Sequence, residues 1–320
     1  MEITDTDINV FLEERVNLKK EKVSEYRAQV SRLIENFGDY LKQHEDFGLR
    51  KLIHFGSCAK GTAISTTSDL DVAVYLTPDK DGEPLDNMLS YIRNLLSESM
   101  QQYGMSDDQF TIGNHCVCVY YKGTKIKVDV VPIIPINKNS HNEWGWLMHK
   151  HSSERLKTSI PLHLKFIQKR KETFKKYAAF VRLTKWWKSI WDAPIKSFII
   201  ELIWAHLIDT AEIPDSFCDG FPYFFKYILK TQLKDRVIFS DNYSPSDVTR
   251  NSTDLVQIYD PVNSENNVAK TVNSNDYTNI IKHSQSTMNI VMMATCAPSK
   301  TKAIEQWQRI LGTSFNPYNL

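Results

Sequence analysis

The stretch Phe55-Gly56-Ser57-Cys58-Ala59-Lys60-Gly61-Thr62-Ala63-Ile64-Ser65-Thr66-Thr67-Ser68-Asp69-Leu70-Asp71-Val72-Ala73-Val74-Tyr75 decides how this chain is read. It starts at the end of an apolar run, passes through a glycine-serine turn opening a helix, and enters a β-branched run led by two aspartates one residue apart. Residues i and i+2 of a strand share a face, so Asp69 and Asp71 point together while Leu70 and Val72 point into a core. Two carboxylates held so close repel unless a cation lies between them. Mg²⁺, which takes a few carboxylates together with phosphate oxygens and water, meets that need. Gly56 lets backbone approach an anion closely, the amides after it open a helix at its positive end, and Ser57 adds a hydroxyl donor. Lys60 stands near enough in sequence to reach a phosphate.

Outward from this stretch, Val128-Asp129-Val130 sets a third carboxylate in a β-branched strand, where an uncompensated charge is costly to bury. A metal site shared with Asp69 and Asp71 is its simplest justification. Three carboxylates can hold two divalent ions about 3.5–4 Å apart, one activating a hydroxyl and one bridging a triphosphate.

Short apolar runs at 52–55, 70–76, 116–121 and 126–131 read as strands, helical spacing spans 85–103, and a sheet backed by helices is expected over about 50–136. Before it, apolar residues from Ile8 to Leu41 recur at three- and four-residue steps, predicting a long N-terminal spine helix from Asp7 to about Gly48. After it, helical stretches are expected at 162–191, 197–211, 221–234, 276–296 and 299–311, broken by polar segments at 137–161 and 235–267. The fold class is α+β, with a sheet lobe over 1–160 that carries the spine helix and a helical lobe over 161–320 that completes a nucleotide-binding cleft.

The bulk numbers narrow the function classes. With 42% hydrophobic and 24% charged residues among 320, the chain is neither disordered nor membrane-like in composition. A formal charge of +1 argues against coating nucleic acid through a global field, so anion binding must be local. The basic run from Lys165 to Lys188, with Glu172 its only acid, is a solvated face or in part a trap for triphosphates. The five cysteines form no CxxC pair and read as free thiols. No secretory signal or membrane span is evident, and a cytoplasmic location is expected.

Gly56-Ser57, Asp69-x-Asp71 and Asp129 together resemble the signature of DNA polymerase β-type nucleotidyltransferases, and more narrowly the group of oligoadenylate synthases, cyclic GMP-AMP synthase and bacterial CD-NTases. Gly61-Thr62-Ala63-Ile64 is similar to the narrower pattern. So, in order, are Arg182-Leu-Thr-Lys-Trp-Trp-Lys, Lys196-Ser-Phe-Ile-Ile-Glu-Leu-Ile and Tyr259-Asp-Pro-Val-Asn-Ser-Glu-Asn-Asn-Val. The resemblance implies catalytic and metal-binding Asp69, Asp71 and Asp129, with two Mg²⁺ ions for which Mn²⁺ can substitute. It implies nucleotide binding by Gly56, Ser57, Lys60 and Thr62, phosphate contacts from Lys185 and Ser197, and base stacking by Phe198, where the family often has tyrosine.

The expected activity is joining of nucleoside triphosphates, ATP and also GTP, UTP or CTP, with pyrophosphate release. The product would be a cyclic di- or trinucleotide messenger of anti-phage (CBASS) signalling. No obligate nucleic acid and no membrane are expected as partners; a regulatory or effector protein is. Alternatives are a linear oligonucleotide synthase, an RNA-tailing or protein- or small-molecule-modifying nucleotidyltransferase, and, in a different class, a silent nucleotide-sensing module.

Overall fold

The computed structural model describes residues 3–43, 47–66, 69–78, 87–136, 143–150, 152–249 and 253–318; the side chains of Phe47, Asp69, Pro78 and residues 152–154 lie outside the described set. The chain divides into two compact units. One comprises Lys20–Gly61 and Thr67–Lys165; the other comprises Met1–Lys19, Thr62–Thr66 and Phe166–Leu320.

The first unit is built on a mixed sheet. Its strands are β1 (Phe47–Phe55), β2 (Asp69–Pro78), β3 (Phe110–Ile112), β4 (Val117–Tyr121), β5 (Ile126–Pro135), β6 (Gly145–His149) and β7 (Ser152–Thr158). The order is β1-β2-β5-β4-β3, with β6 pairing both β5 and β7. Among the described residues of this sheet, the β2–β5 pairing is parallel and the others are antiparallel. Leu70, Val72, Val74 and Leu76 are fully buried on one face, and the sheet packs with α2 (Lys20–Lys42) and α4 (Met88–Gln101). On the opposite face Ala73 and Tyr75 of β2 cluster with Val131 and Ile133 of β5 and with Ile160, where the Tyr75 hydroxyl accepts from the Ile160 amide at 3.1 Å.

The second unit is helical: α1 (Asp5–Phe11), α5 (Ile160–Thr173, from Phe166 onward), α6 (Tyr177–Trp191), α7 (Ser197–Thr210), α8 (Phe217–Gly220), α9 (Pro222–Thr231), α10 (Ser274–Thr295) and α11 (Lys300–Leu311), with a small ribbon of β8 (Tyr259–Asp260) and β9 (Asn263–Asn267). Trp187 and Trp204 are wholly buried in its core. Their ring N–H groups donate to Thr287 and Thr184, both at 2.9 Å, so burial leaves neither unsatisfied. Ile8, Phe11, Leu12 and Val16 belong to the same core.

The spine predicted from Asp7 to Gly48 is therefore interrupted. A π-helical turn, Leu12–Val16, ends at Asn17, which is extended at φ −71°, ψ 145°. Asn17 bridges to Ile64, and its side-chain oxygen accepts from Arg182 Nε at 2.7 Å. These tertiary contacts override a helical periodicity that runs through the break. Two polar segments also hold more structure than their composition suggests. β6 and β7 fall within 137–161, and Asn267 organises 235–267: its oxygen accepts from the Ile258 and Ala269 amides, both at 3.0 Å, while its nitrogen donates to Val256 and Asp254.

Candidate active site

In the sheet unit, the predicted phosphate cradle and two of the expected acids come together at the ends of neighbouring strands. β1 stops at Phe55, opposite Asp71. Gly56 then turns the chain at φ +74°, and α3 (Gly56–Lys60) begins without a capping side chain and ends at left-handed Gly61. A Cβ on Gly56 would lie 1.7 Å from Oδ2 of Asp71, so only glycine lets the turn lie against that carboxylate. Ser57 and Lys60 are half-buried on this short helix.

Asp71 and Asp129 are register partners across the parallel β2–β5 pair. Both are partly exposed, whereas their strand neighbours Leu70, Val72, Val128 and Val130 are buried completely. The backbone of Asp69 opens β2 opposite Lys127; its side chain lies outside the described residues. Cys118 of β4 stands opposite Asp129, and the Asp129 charge bears on the thiols of both Cys116 and Cys118. Burial first, and then the Asp129 charge, pushes the Cys116 thiol up to about 12 and raises Cys118 as well. These contacts could be anticipated only from strand register.

In the helical unit, Lys185 of α6 donates to Glu201 Oε1 at 2.7 Å, to the Thr62 carbonyl at 3.1 Å and to Thr62 Oγ1 at 3.2 Å. Thr62 Oγ1 in turn donates to Glu201 at 2.8 Å. Ser197 is exposed at the first turn of α7. Phe198, beside it, lines a cavity of about 230 Å³ with Lys196, Ile199, Asn266, Val268 and Thr271. Asn266 donates from its amide to Asp260 Oδ2 at 3.1 Å, which fixes which end of the amide faces away. From the basic run, Arg170 is a core ion pair with Asp209 and Asp241 rather than a solvated charge.

Residues 34–156 match the model of the nucleotidyltransferase domain. Over 312 residues the chain is 36% identical to the cyclic AMP-AMP-AMP synthase of Escherichia coli strain MS 115-1, covering 95% of each chain. It is 28% identical to the CBASS oligonucleotide cyclase CdnC of E. coli strain KTE188 over 98% of each. The chain belongs to the CD-NTase family of cyclic oligonucleotide synthases. Like its family it is a nucleotidyltransferase. Solved structures agree: E. coli MS115-1 CdnC with ATP aligns at a TM-score of 0.88 and 36% identity, over 98% of this chain and 99% of that one. The same protein in complex with a HORMA partner aligns equally well at 35% identity, over 98% and 99%. Vibrio cholerae DncV cyclic AMP-GMP synthase, at a TM-score of 0.71 and 11% identity over 99% and 98%, shares the fold.

The residues present suit the divalent ions on which such nucleotidyltransferases depend. Asp71 and Asp129 offer oxygen donors from adjacent strands, the set a hard cation prefers, and the missing Cβ of Gly56 leaves the Asp71 carboxylate its space. Among the described residues no group of three acidic, histidine or cysteine side chains is arranged to hold an ion unaided. Asp69 is the third acid of this CD-NTase's expected set. No helix among the described residues is long and apolar enough to cross a membrane.

Proposed function

We propose that this enzyme joins ATP units, with release of pyrophosphate, into a cyclic di- or trinucleotide; the 36% identity to a cyclic AMP-AMP-AMP synthase favours the cyclic triadenylate. The observation that carries the reading is the Asp71–Asp129 pair on neighbouring strands beside a glycine that only glycine can replace.

Asp69, Asp71 and Asp129 would hold two Mg²⁺ or Mn²⁺ ions. Such ions supply Lewis acidity that makes a ribose hydroxyl more acidic and offsets the charge of departing pyrophosphate. Gly56 and Ser57 would receive the triphosphate through backbone amides and a hydroxyl, helped by Lys60. Ser197 would add a hydroxyl donor to phosphate, and Phe198 would stack on a base within its cavity. In each transfer a ribose oxygen bonds to the α-phosphorus and the bond from that phosphorus to the bridging oxygen breaks. Pyrophosphate leaves with the electron pair, and the hydroxyl proton passes to a carboxylate oxygen of Asp129.

The enzyme acts in the cytoplasm, where nucleoside triphosphates are available, and a HORMA-type protein is its candidate regulator, since a CdnC relative forms such a complex. The test is incubation with each labelled triphosphate and Mg²⁺ or Mn²⁺, followed by phosphatase and nuclease treatment. Pyrophosphate release with a phosphatase-resistant, nuclease-sensitive product from ATP is expected. A phosphatase-sensitive product would make the enzyme a linear synthase, and no pyrophosphate from any triphosphate would refute the reading.

A further inference from the structure

The residues that line the cavity beside Phe198 all belong to the helical unit, and its polar groups differ in how much freedom each retains. Asn267 has its side chain fully engaged: the oxygen accepts from the Ile258 and Ala269 amides, and the nitrogen donates to Asp254 and Val256. Lys196, Lys270 and Thr271 are exposed. Water satisfies such ammonium groups whatever lies in the cavity, and a hydroxyl turns to donate or accept as required. Asn266 is different. Its nitrogen donates to Oδ2 of Asp260 at 3.1 Å. Asp260 is only 3% exposed, and Oδ1 of the same carboxylate accepts from the Val262 amide at 2.9 Å. A carboxylate only accepts, so the Asn266 amide cannot turn over without setting oxygen against oxygen. Among the described residues no donor reaches Asn266 Oδ1. This half-buried side chain therefore offers the cavity an acceptor of fixed orientation.

We propose that Asn266 is the specificity-determining residue of this cavity and Asp260 its positioning residue: together they select a base that carries an amino group at C6, adenine, over one that carries a carbonyl there, guanine. The proposal rests on reading the Phe198 cavity as a base site. Stacking alone does not choose, since every base has a π-face. At C6 adenine presents a donor and guanine an acceptor. Against Asn266 Oδ1 the first makes a hydrogen bond and the second sets two oxygens together. A site built to bond a donor rejects the analogue that lacks it. The buried carboxylate is what enforces the choice, because an unanchored asparagine would rotate to suit either base. The choice is reversible. In D260N the Val262 amide still requires an oxygen, which leaves the side-chain nitrogen in the place of Oδ2. Asn266 must then turn its oxygen toward that nitrogen and present its own amide nitrogen to the cavity.

The experiment measures equilibrium binding of ATP, purine riboside triphosphate and inosine triphosphate, which carry an amino group, a hydrogen and a carbonyl at C6, to the full chain as wild type, N266L, D260N and F198A. Wild type should bind ATP about tenfold or more tightly than inosine triphosphate, with the purine analogue between them. N266L, similar in size but without an acceptor, should bring the three affinities together. D260N should invert the order, so that inosine triphosphate binds more tightly than ATP; a merely structural role for Asp260 would weaken all three alike. The assignment is overturned if N266L keeps the wild-type ratio, or if folded D260N keeps the wild-type order. Should D260N fail to fold, N266L at its half-buried position decides alone. F198A separates this inference from the reading beneath it. Unchanged ATP binding in F198A would remove the base site itself and Asn266 with it, whereas loss of affinity in F198A with an unaltered ratio in N266L would remove Asn266 alone.

Discussion

Gly56 and Asp71 adjoin so closely that a single methyl group on the first would fall within bonding distance of the second, 1.7 Å from Oδ2. Gly56→Ala must therefore move the carboxylate, and it also places a side chain at φ +74°. We expect turnover to drop about 10²-fold, the usual cost of misplacing a reacting group by an ångström. Gly104 is the control: it has φ +75° but open space around it. Gly104→Ala should cost roughly 1 kcal/mol of stability from backbone strain alone and leave turnover intact. Pyrophosphate release and urea unfolding of the two variants separate strain from displacement.

Asp71→Asn and Asp129→Asn test the acids themselves. Both side chains are partly exposed, while the residues beside them in their strands, Leu70, Val72, Val128 and Val130, carry the packing, so each variant should fold. Loss of metal-assisted charge stabilisation is worth several kcal/mol, so turnover should fall by on the order of 10³-fold or more. Mn²⁺ binding followed by water relaxation should weaken in both while far-UV circular dichroism stays unchanged. Full activity in either variant would exclude that carboxylate.

The glycine turn after β1 and the strands that carry Asp71 and Asp129 were legible because local rules suffice for them: β-branched runs make strands, and glycine-serine after a strand makes a turn. Register was not legible, so nothing in the chain order announced that Cys118 would stand opposite Asp129. Lys185 was visible as one member of a basic run and Glu201 as a charge in an apolar helix, but their sharing of Thr62 depends on packing between elements distant in sequence. The same reason explains Asn17, where contacts with Ile64 and Arg182 stop a helix that periodicity would continue, and β7, whose polar composition hides a strand that pairs with β6.

Phe198 lines a cavity of about 230 Å³ whose polar wall includes the oriented amide of Asn266. Stacking of a base on an aromatic ring is worth about 1–3 kcal/mol. Phe198→Ala should accordingly raise KM for ATP roughly ten- to hundredfold, while Phe198→Tyr, which keeps the ring, should stay near wild type. Steady-state kinetics across an ATP series decides it, and equal KM values for wild type and Phe198→Ala would remove the ring from substrate binding.

Acid sensitivity should come in part from Asp241. Burial alone would raise its pKa, but hydrogen bonds and charge from Arg170 and Lys169 outweigh burial and hold it below the ordinary 3.8. Asp5, bound by Lys176, Ser216 and the Phe217 amide, and Asp7, bound by Thr4 and Lys300, are lowered against the same opposing burial. A depressed folded-state pKa means that the unfolded chain takes up protons first as pH falls. The stabilisation is thus complete above the unfolded value and is lost below it, as pH descends through the folded values. Thermal stability should hold steady down to about pH 5 as far as these groups are concerned and decline below about pH 4. Asp241→Asn removes one carboxylate from the buried Arg170, whose other partner, Asp209, is half exposed. It should cost about 3 kcal/mol at neutral pH and flatten the acid limb, so that the variant and wild type converge as pH falls. Urea unfolding at a series of pH values measures both effects, and a constant difference between the two proteins across the series would show that Asp241 is not protonating in that range.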